Sequence, residues 1–153
     1  MTSMHTRNLN IERLPEDCPD RIKGLAQLAA RAAYLNRADN IEILEITNLC
    51  SYADYFVVAT GRTRRQMRAI ANHVELMMEA NNYFKLGIEG AGDECGWMLL
   101  DYGDIIVQLF DEQARTYYRL EELWDEAPRL SFEQPALGAE PEEEKQASDL
   151  FWN

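Results

Sequence analysis

WMLLDYGDIIVQLF, residues Trp97 to Phe110, decides the fold. Two apolar runs flank Asp101-Tyr102-Gly103-Asp104, where glycine supplies the positive φ of a tight turn. A two-residue loop at Tyr102 and Gly103 sets Asp101 opposite Asp104, Leu99 opposite Ile106 and Trp97 opposite Gln108. Strand alternation then gathers Met98, Leu100, Ile105, Val107 and Leu109 on one face, which is wholly apolar and must be core. The other face carries Trp97, Leu99, Asp101, Asp104, Ile106 and Gln108. A simple solvent face would not line up Trp, Leu and Ile. A second buried face would not hold an amide and two carboxylates without partners. Mixed character around a central Trp fits a protein-binding patch. The alternative is that a helix covers it, and physics alone leaves the two open. A three-residue loop with a bulge would spoil this pairing.

Upstream, Asp20 is a fair cap for a helix over RIKGLAQLAARAAYLNR, with Ile22, Leu25, Ala29, Ala32 and Ala33 on one stripe. Gly24 weakens that helix but permits close packing. IEILEI, Ile41 to Ile46, alternates as a strand. YFVVAT, Tyr55 to Thr60, is nearly all apolar, as a central strand buried on both faces would be. Thr63 caps a second helix reaching about Asn81, whose stripe is Met67, Ile70, Ala71, Val74, Met77 and Met78. Those methionines read as core filling. Tyr83 to Gly90 reads as a third strand, and an aromatic helix follows the hairpin. The order α-β-β-α-β-β-β-α predicts an α/β domain, a mixed five-stranded sheet flanked by helices. The domain spans 20–127, after an irregular lead over 1–19 and before a disordered acidic tail over 128–153.

The chain has 153 residues, enough for one domain with a real core. Its formal net charge of -12 disfavours phosphate neutralisation and suits a basic protein partner. Cys18, Cys50 and Cys95 are scattered, which argues against a disulfide framework or a zinc site. The start lacks a signal-peptide block and no run reaches membrane-spanning length, so a reduced, cytoplasmic protein without membrane contact is expected.

Four features bear on catalysis. Exposed N–H groups in GRTRR, Gly61 to Arg65, could hold a phosphate, but the pattern is neither a Walker loop nor a dinucleotide fingerprint. A solvated basic turn or a protein contact is favoured. Asp101 with Asp104 could bind a metal, yet Asp is common at turns for turn chemistry alone. His73 stands alone beside the Met stripe and reads as a partly exposed structural histidine. Cys95 has no adjacent base and reads as a plain thiol. No nucleophile–base pair or metal cluster emerges, so no cofactor, no metal and no catalytic residue is expected. The rival reading is a nucleotide-binding or nucleotidyltransferase-like enzyme using GRTRR with Asp101 and Asp104. A second rival is a homodimeric scaffold joined at the hairpin face.

IEILEITNLCSYADYFVVATGRTRRQMRAIANHV, the loop IEG, WMLLDYGDIIVQLF and RTYYRLEELW followed by AP stand in an order and spacing that resembles the ribosomal silencing factor, or Iojap, family over roughly Ile22 to Pro128. The resemblance implies a small nucleotidyltransferase-like α/β domain without known catalysis. It implies binding to large-subunit ribosomal protein number fourteen where the small subunit docks. Subunit joining is thereby blocked and translation damped when nutrients run short, with a part in large-subunit maturation as well. Family members also associate as dimers, so a homodimer is an implied partner, and little direct RNA contact is expected. The implied docking residues are Trp97, Leu99, Asp101, Ile106 and Gln108, with Arg115, Tyr117 and Leu120 adding to the surface or bracing it. Tyr118 and Trp124 are read as braces. Family members commonly have His where this chain has Gln108, which puts any role for an imidazole there in doubt.

Overall fold

The computed structural model describes residues 10–90, 96–118, 122, 124–135 and 137. Helix α1 spans Arg21–Leu35, strand β1 Asp39–Glu45, β2 Tyr55–Thr60, helix α2 Arg64–Glu79, β3 Gly87–Glu89, β4 Trp97–Asp101, β5 Ile105–Phe110 and helix α3 Glu112–Tyr118. The sheet runs β1-β2-β5-β4-β3. Only β2 and β5 pair in parallel, so the sheet is mixed, as expected.

Both long helices start where polar side chains can take up orphan amides. The Asp20 carboxylate accepts from Lys23 N and the Thr63 hydroxyl from Gln66 N. Their apolar stripes lie on one face of the sheet. Leu25, Ala29, Ala32, Met67, Ile70, Val74 and Met77 bury there against Val57, Leu100, Ile105, Val107 and Leu109. The α2 helix stops at a left-handed Asn82 (φ 59°), with Tyr83 N donating to Met78 O and Asn82 N to Glu79 O.

The hairpin register differs from the expected one. Asp101 lies opposite Ile106, Leu99 opposite Gln108 and Trp97 opposite Phe110. Tyr102 is not a loop residue: its N–H donates to Ile105 O, and Gly103 (φ 90°) and Asp104 make the turn. The cause is the Tyr102 ring, which continues the alternation of Met98 and Leu100 into the core and stacks on Tyr83 with centroids 5.3 Å apart. The turn moves by one residue and the pairing by two, so each side chain keeps its expected face. Met98, Leu100, Ile105, Val107 and Leu109 are all buried.

The third strand is shorter than Tyr83–Gly90. Tyr83 is taken by the helix end and the tyrosine stack, and only Gly87–Glu89 pairs with β4. The boundary at 127 also moves. Pro128 O accepts from Glu45 N, Leu130 N donates to Ile43 O, and Leu44 bridges Arg129, so this stretch runs along the β1 edge. It continues over α1, where Ser131 O, Glu133 O and Pro135 O accept from Gln27, Arg31 and Tyr34. Residues 128–135 are therefore part of the domain; 138–153 lie outside the described residues.

The lead has no regular element over 10–19, yet it is anchored. Asn81 Oδ1 accepts from Leu14 N, and its Nδ2 donates to Glu12 O. His73 is buried, not partly exposed, at 2% accessibility. Its Nε2 donates to Asn10 O (2.9 Å) and its Nδ1 accepts from Asn36 Nδ2 (2.8 Å). That pair of contacts fixes the neutral Nε2–H tautomer. Burial lowers its pKa, against smaller opposing effects of the Asn10 carbonyl and Glu12.

The sign of the pH effect follows. Above about pH 6.5 both folded and unfolded chains carry a neutral ring, and the contribution to stability is complete. Below that value the unfolded chain takes the proton first, and stability falls until the folded ring titrates too. Melting temperature should therefore drop between about pH 7.5 and 5.5 more steeply for the native chain than for His73→Gln. Parallel pH curves would show that His73 is not the group responsible.

Candidate functional site

The second face of the sheet carries Leu44, Ile46, Phe56, Val58, Ile106, Gln108, Phe110, Trp97, Leu99 and Asp101. Its cover is uneven. Leu44, Ile46, Phe56, Val58 and Phe110 bury with Ala114 of α3 and Ala127, and Trp124 lies edge-on to Phe56 at 5.4 Å. This cover lies over β1, β2 and the Phe110 end of the hairpin, and α3 supplies only part of it. Along β4 the cover thins: Trp97, Leu99 and Asp101 are each half-buried, and Ile106 is half-buried beside them. Trp97 leans on the covered cluster, whereas Leu99 belongs to neither apolar cluster. Patch and cover are therefore neighbouring parts of one face.

Local chemistry explains how the patch is held. Asp101 Oδ1 accepts from Gly103 N at 2.8 Å, so this carboxylate stabilises the turn it precedes. Asp111 O and Oδ1 accept from Arg115 N and Ala114 N at the start of α3. Gly96 (φ 72°) passes directly under the Asp111 carboxylate, where an added Cβ would come within 2.3 Å of Oδ2. The β4 strand thus enters the sheet pinned beneath α3.

The remaining expected residues separate by burial. Gln108 sits mid-strand between Val58 and Leu99 and is 8% exposed. Arg115 is 7% exposed and donates to Thr60 Oγ1 and Asn40 O, both at 2.7 Å. That is a brace tying α3 to β1 and β2. Tyr117 is 79% exposed. Leu120 and the Tyr118 side chain lie outside the described residues.

One feature escaped the sequence reading. An open cleft of about 340 Å³ is lined by Leu49, Glu122, Trp124, Asp125 and Glu126, on the side of the Phe56–Trp124 pair. It joins an apolar floor to three carboxylates, a composition matched to basic side chains. Tyr52 stands beside it, exposed and 6.5 Å from Phe56. The signal was the acidic run around Trp124, a stretch placed inside the domain for its bracing aromatics and not weighed for its carboxylates.

Several groups in the features considered for catalysis have structural partners. In the GRTRR loop, Arg62 N donates to Gln66 Oε1, Gln66 N to Thr63 Oγ1, and the Arg62 guanidinium to Asp39. Asp101 is committed to Gly103 N, and the Asp104 carbonyl accepts from Asp54 N and Tyr55 N. Among the described residues no group of three or more His, Cys, Asp or Glu side chains could hold a metal. Cys18 and Cys50 are free thiols, and Cys95 lies outside the described residues.

The split between brace and surface is measurable. Arg115→Ala leaves Thr60 Oγ1 and the Asn40 carbonyl without their donor and should cost about 2 kcal/mol. That corresponds to roughly 5–10 °C in melting temperature. Tyr117→Ala should change stability by less than about 0.5 kcal/mol, as exposed substitutions do. Equal losses from both would contradict the assignment of Arg115 as the brace.

The sequence model of the family described as "Ribosomal silencing factor during starvation" matches residues 19–151. The ribosomal silencing factor RsfS of Bacillus subtilis is 36% identical over 106 residues, covering 69% of this chain and 89% of that protein. A mouse protein named for mitochondrial assembly of the ribosomal large subunit is 27% identical over 92 residues, 57% of this chain and 39% of its own length. A crystal structure of a Chromobacterium violaceum protein superposes with a TM-score of 0.65 at 31% identity, covering 75% of this chain and 94% of that one. With its mixed sheet, hairpin and matching sequence blocks, the chain belongs to the ribosomal silencing factor family.

Proposed function

We propose that this chain silences ribosomes by docking on large-subunit ribosomal protein number fourteen and excluding the small subunit from the same surface. Translation is damped when nutrients run short, and the same attachment serves large-subunit maturation. The observation that carries this reading is the thinly covered strip along β4, where Leu99 and Asp101 stand half-buried beside Trp97 and Ile106. An apolar anchor within a polar rim is how a protein interface concentrates its affinity. The carboxylate cleft at Glu122, Asp125 and Glu126, beside the covered part of the face, carries the charge that suits a basic ribosomal protein.

The mechanism is steric and needs no chemistry at the site. Two ligands compete for one surface, and the chain acts through occupancy. We read it as a cytoplasmic binding protein and not an enzyme. The Arg62 and Gln66 amides are engaged at the start of α2, and the Asp101 carboxylate is engaged in its turn.

Co-sedimentation with separated ribosomal subunits tests the proposal. The native chain should pellet with large subunits and not with small ones. Leu99→Ala should weaken that association by roughly 30-fold, equivalent to about 2 kcal/mol, if Leu99 is a central anchor. Its melting temperature should change little, because Leu99 lies outside both buried clusters. Full binding by Leu99→Ala would remove β4 as the docking strip; no binding by the native chain would remove the ribosome. The native association should also be flat between about pH 6 and 8, because Gln108 does not titrate. Gln108→His should introduce pH dependence there if the position feels the partner, and an unchanged profile would place it outside the interface.

A further inference from the structure

Over most of the described residues the basic side chains are held by partners. Arg21 donates to Pro15 O and Asn81 O, and Arg115 to Thr60 Oγ1 and Asn40 O. Arg31 pairs with Glu12 and Glu133, Lys85 with Glu75, and Arg129 with Glu42. The start of α2 breaks that pattern. Arg62, Arg64, Arg65 and Arg68 are all exposed there. Arg37, also exposed, is held beside them, because Gln66 Nε2 donates to the carbonyls of both Asn36 and Arg37 at 3.0 Å. Arg62 pairs with Asp39, whereas Arg37, Arg64, Arg65 and Arg68 form no ion pair among the described residues.

These guanidiniums make a cationic patch on a chain of net charge -12. At about 0.1 M salt, exposed charges more than about 10 Å apart are largely screened from one another. The local potential is therefore set by the patch's own cations more than by the acidic remainder of the chain. A guanidinium is planar, always charged and able to donate two parallel N–H bonds to a phosphate, which suits it to nucleic-acid backbones. Arg64 and Arg68 are four residues apart, so they are neighbours on one side of α2. Both line a narrow cleft with Trp97 and Met98. The patch thus continues to the Trp97 end of β4, beside the strip proposed for docking.

We infer that the Arg37, Arg64, Arg65 and Arg68 patch contacts the phosphate backbone of RNA when the chain sits on the large subunit, an inference that rests on the docking reading. The occupant follows from charge and place. A phosphate backbone supplies the anions that these cations lack, and RNA is the polyanion that surrounds a docking site on a ribosome. The expectation of little direct RNA contact came from the chain's average charge, and this patch is where the average misleads. Backbone contacts carry no base preference. The patch therefore adds salt-dependent affinity and orientation, and leaves recognition to the β4 strip.

The test is fluorescence anisotropy of a labelled single-stranded oligouridine with the full chain, beside a variant carrying R64Q, R65Q and R68Q. Those side chains are exposed and Thr63 makes the α2 cap, so the melting temperature should be unchanged. Contacts to four phosphates give a slope of log affinity against log salt of about -2.8, a loss of roughly 50-fold between about 50 and 200 mM. With Arg37 alone left of the unpaired cations, the variant should show a slope of about -0.7, a loss of roughly threefold. On separated large subunits the variant should pellet less well than the native chain at about 50 mM salt, and the difference should narrow at about 200 mM. No oligouridine binding by the native chain at about 100 μM, the weak end of non-specific association, would overturn the patch. Equal affinities and slopes in the two chains would overturn it too. Equal affinity for polyglutamate would overturn it in favour of an acidic protein surface. Equal pelleting of both chains at low salt would overturn its contact on the subunit. Patch-dependent oligouridine binding by a native chain that does not pellet with large subunits would support the patch and overturn the docking reading instead.

Discussion

The fold depends on one constraint: β2 and β5 are apolar on both faces, so the sheet must be covered twice. All six residues of β2 are buried. The α1 and α2 helices satisfy one face with their Leu, Ala and Met stripes. Among the described residues, the other is met by Ala114 of α3 together with Trp124 and Ala127. That second cover reaches β1, β2 and the Phe110 end of β5, then thins along β4. Where that cover thins, the half-buried residues of β4 form the strip proposed for docking.

Most of the architecture was legible because its signals are local. The alternation in β1 and β4, the uniform apolarity of YFVVAT and the stripes of both helices each depend on a few neighbouring residues. The errors arose where a distant contact overruled a local preference. Tyr102 beside Gly103 reads as a turn residue, but its ring finds Tyr83 across the sheet edge and extends the strand pairing. Tyr83 in turn has β propensity, yet the helix end claims its N–H. Pro128 to Pro135 is polar, proline-bearing and acidic nearby, so composition marked it as a tail. Its backbone nevertheless pairs with β1, and Leu130 and Phe132 pack on the helical layer.

The site was legible in outline for a related reason. A two-position change in strand pairing preserves parity, so the two faces of the hairpin survived the error in register. What alternation could not reveal was depth. Leu99 and Gln108 share a face and sit opposite each other, yet Leu99 is half-buried at the second strand from the edge and Gln108 is buried at the centre. Arg115 and Tyr117 are two residues apart on one helix, and one is a buried brace while the other is mostly exposed. The resemblance to a family could name such positions together, but only the packing of α3 on Thr60 and Asn40 separates their roles.

Titration and recognition are assigned to opposite layers. The buried imidazole of His73 joins the lead, the α1 cap and α2 on the helical side of the sheet. The strip proposed for docking, on the other side, presents Leu99, Ile106 and Trp97, none of which carries a side chain that changes charge near neutrality. Its carboxylate, Asp101, is held by Gly103 N–H. Acidification into the range where His73 matters would therefore loosen the anchored lead. On the proposed docking reading, a fall in ribosome association that precedes unfolding points to titratable groups of the partner, because the apolar anchors of the strip carry none.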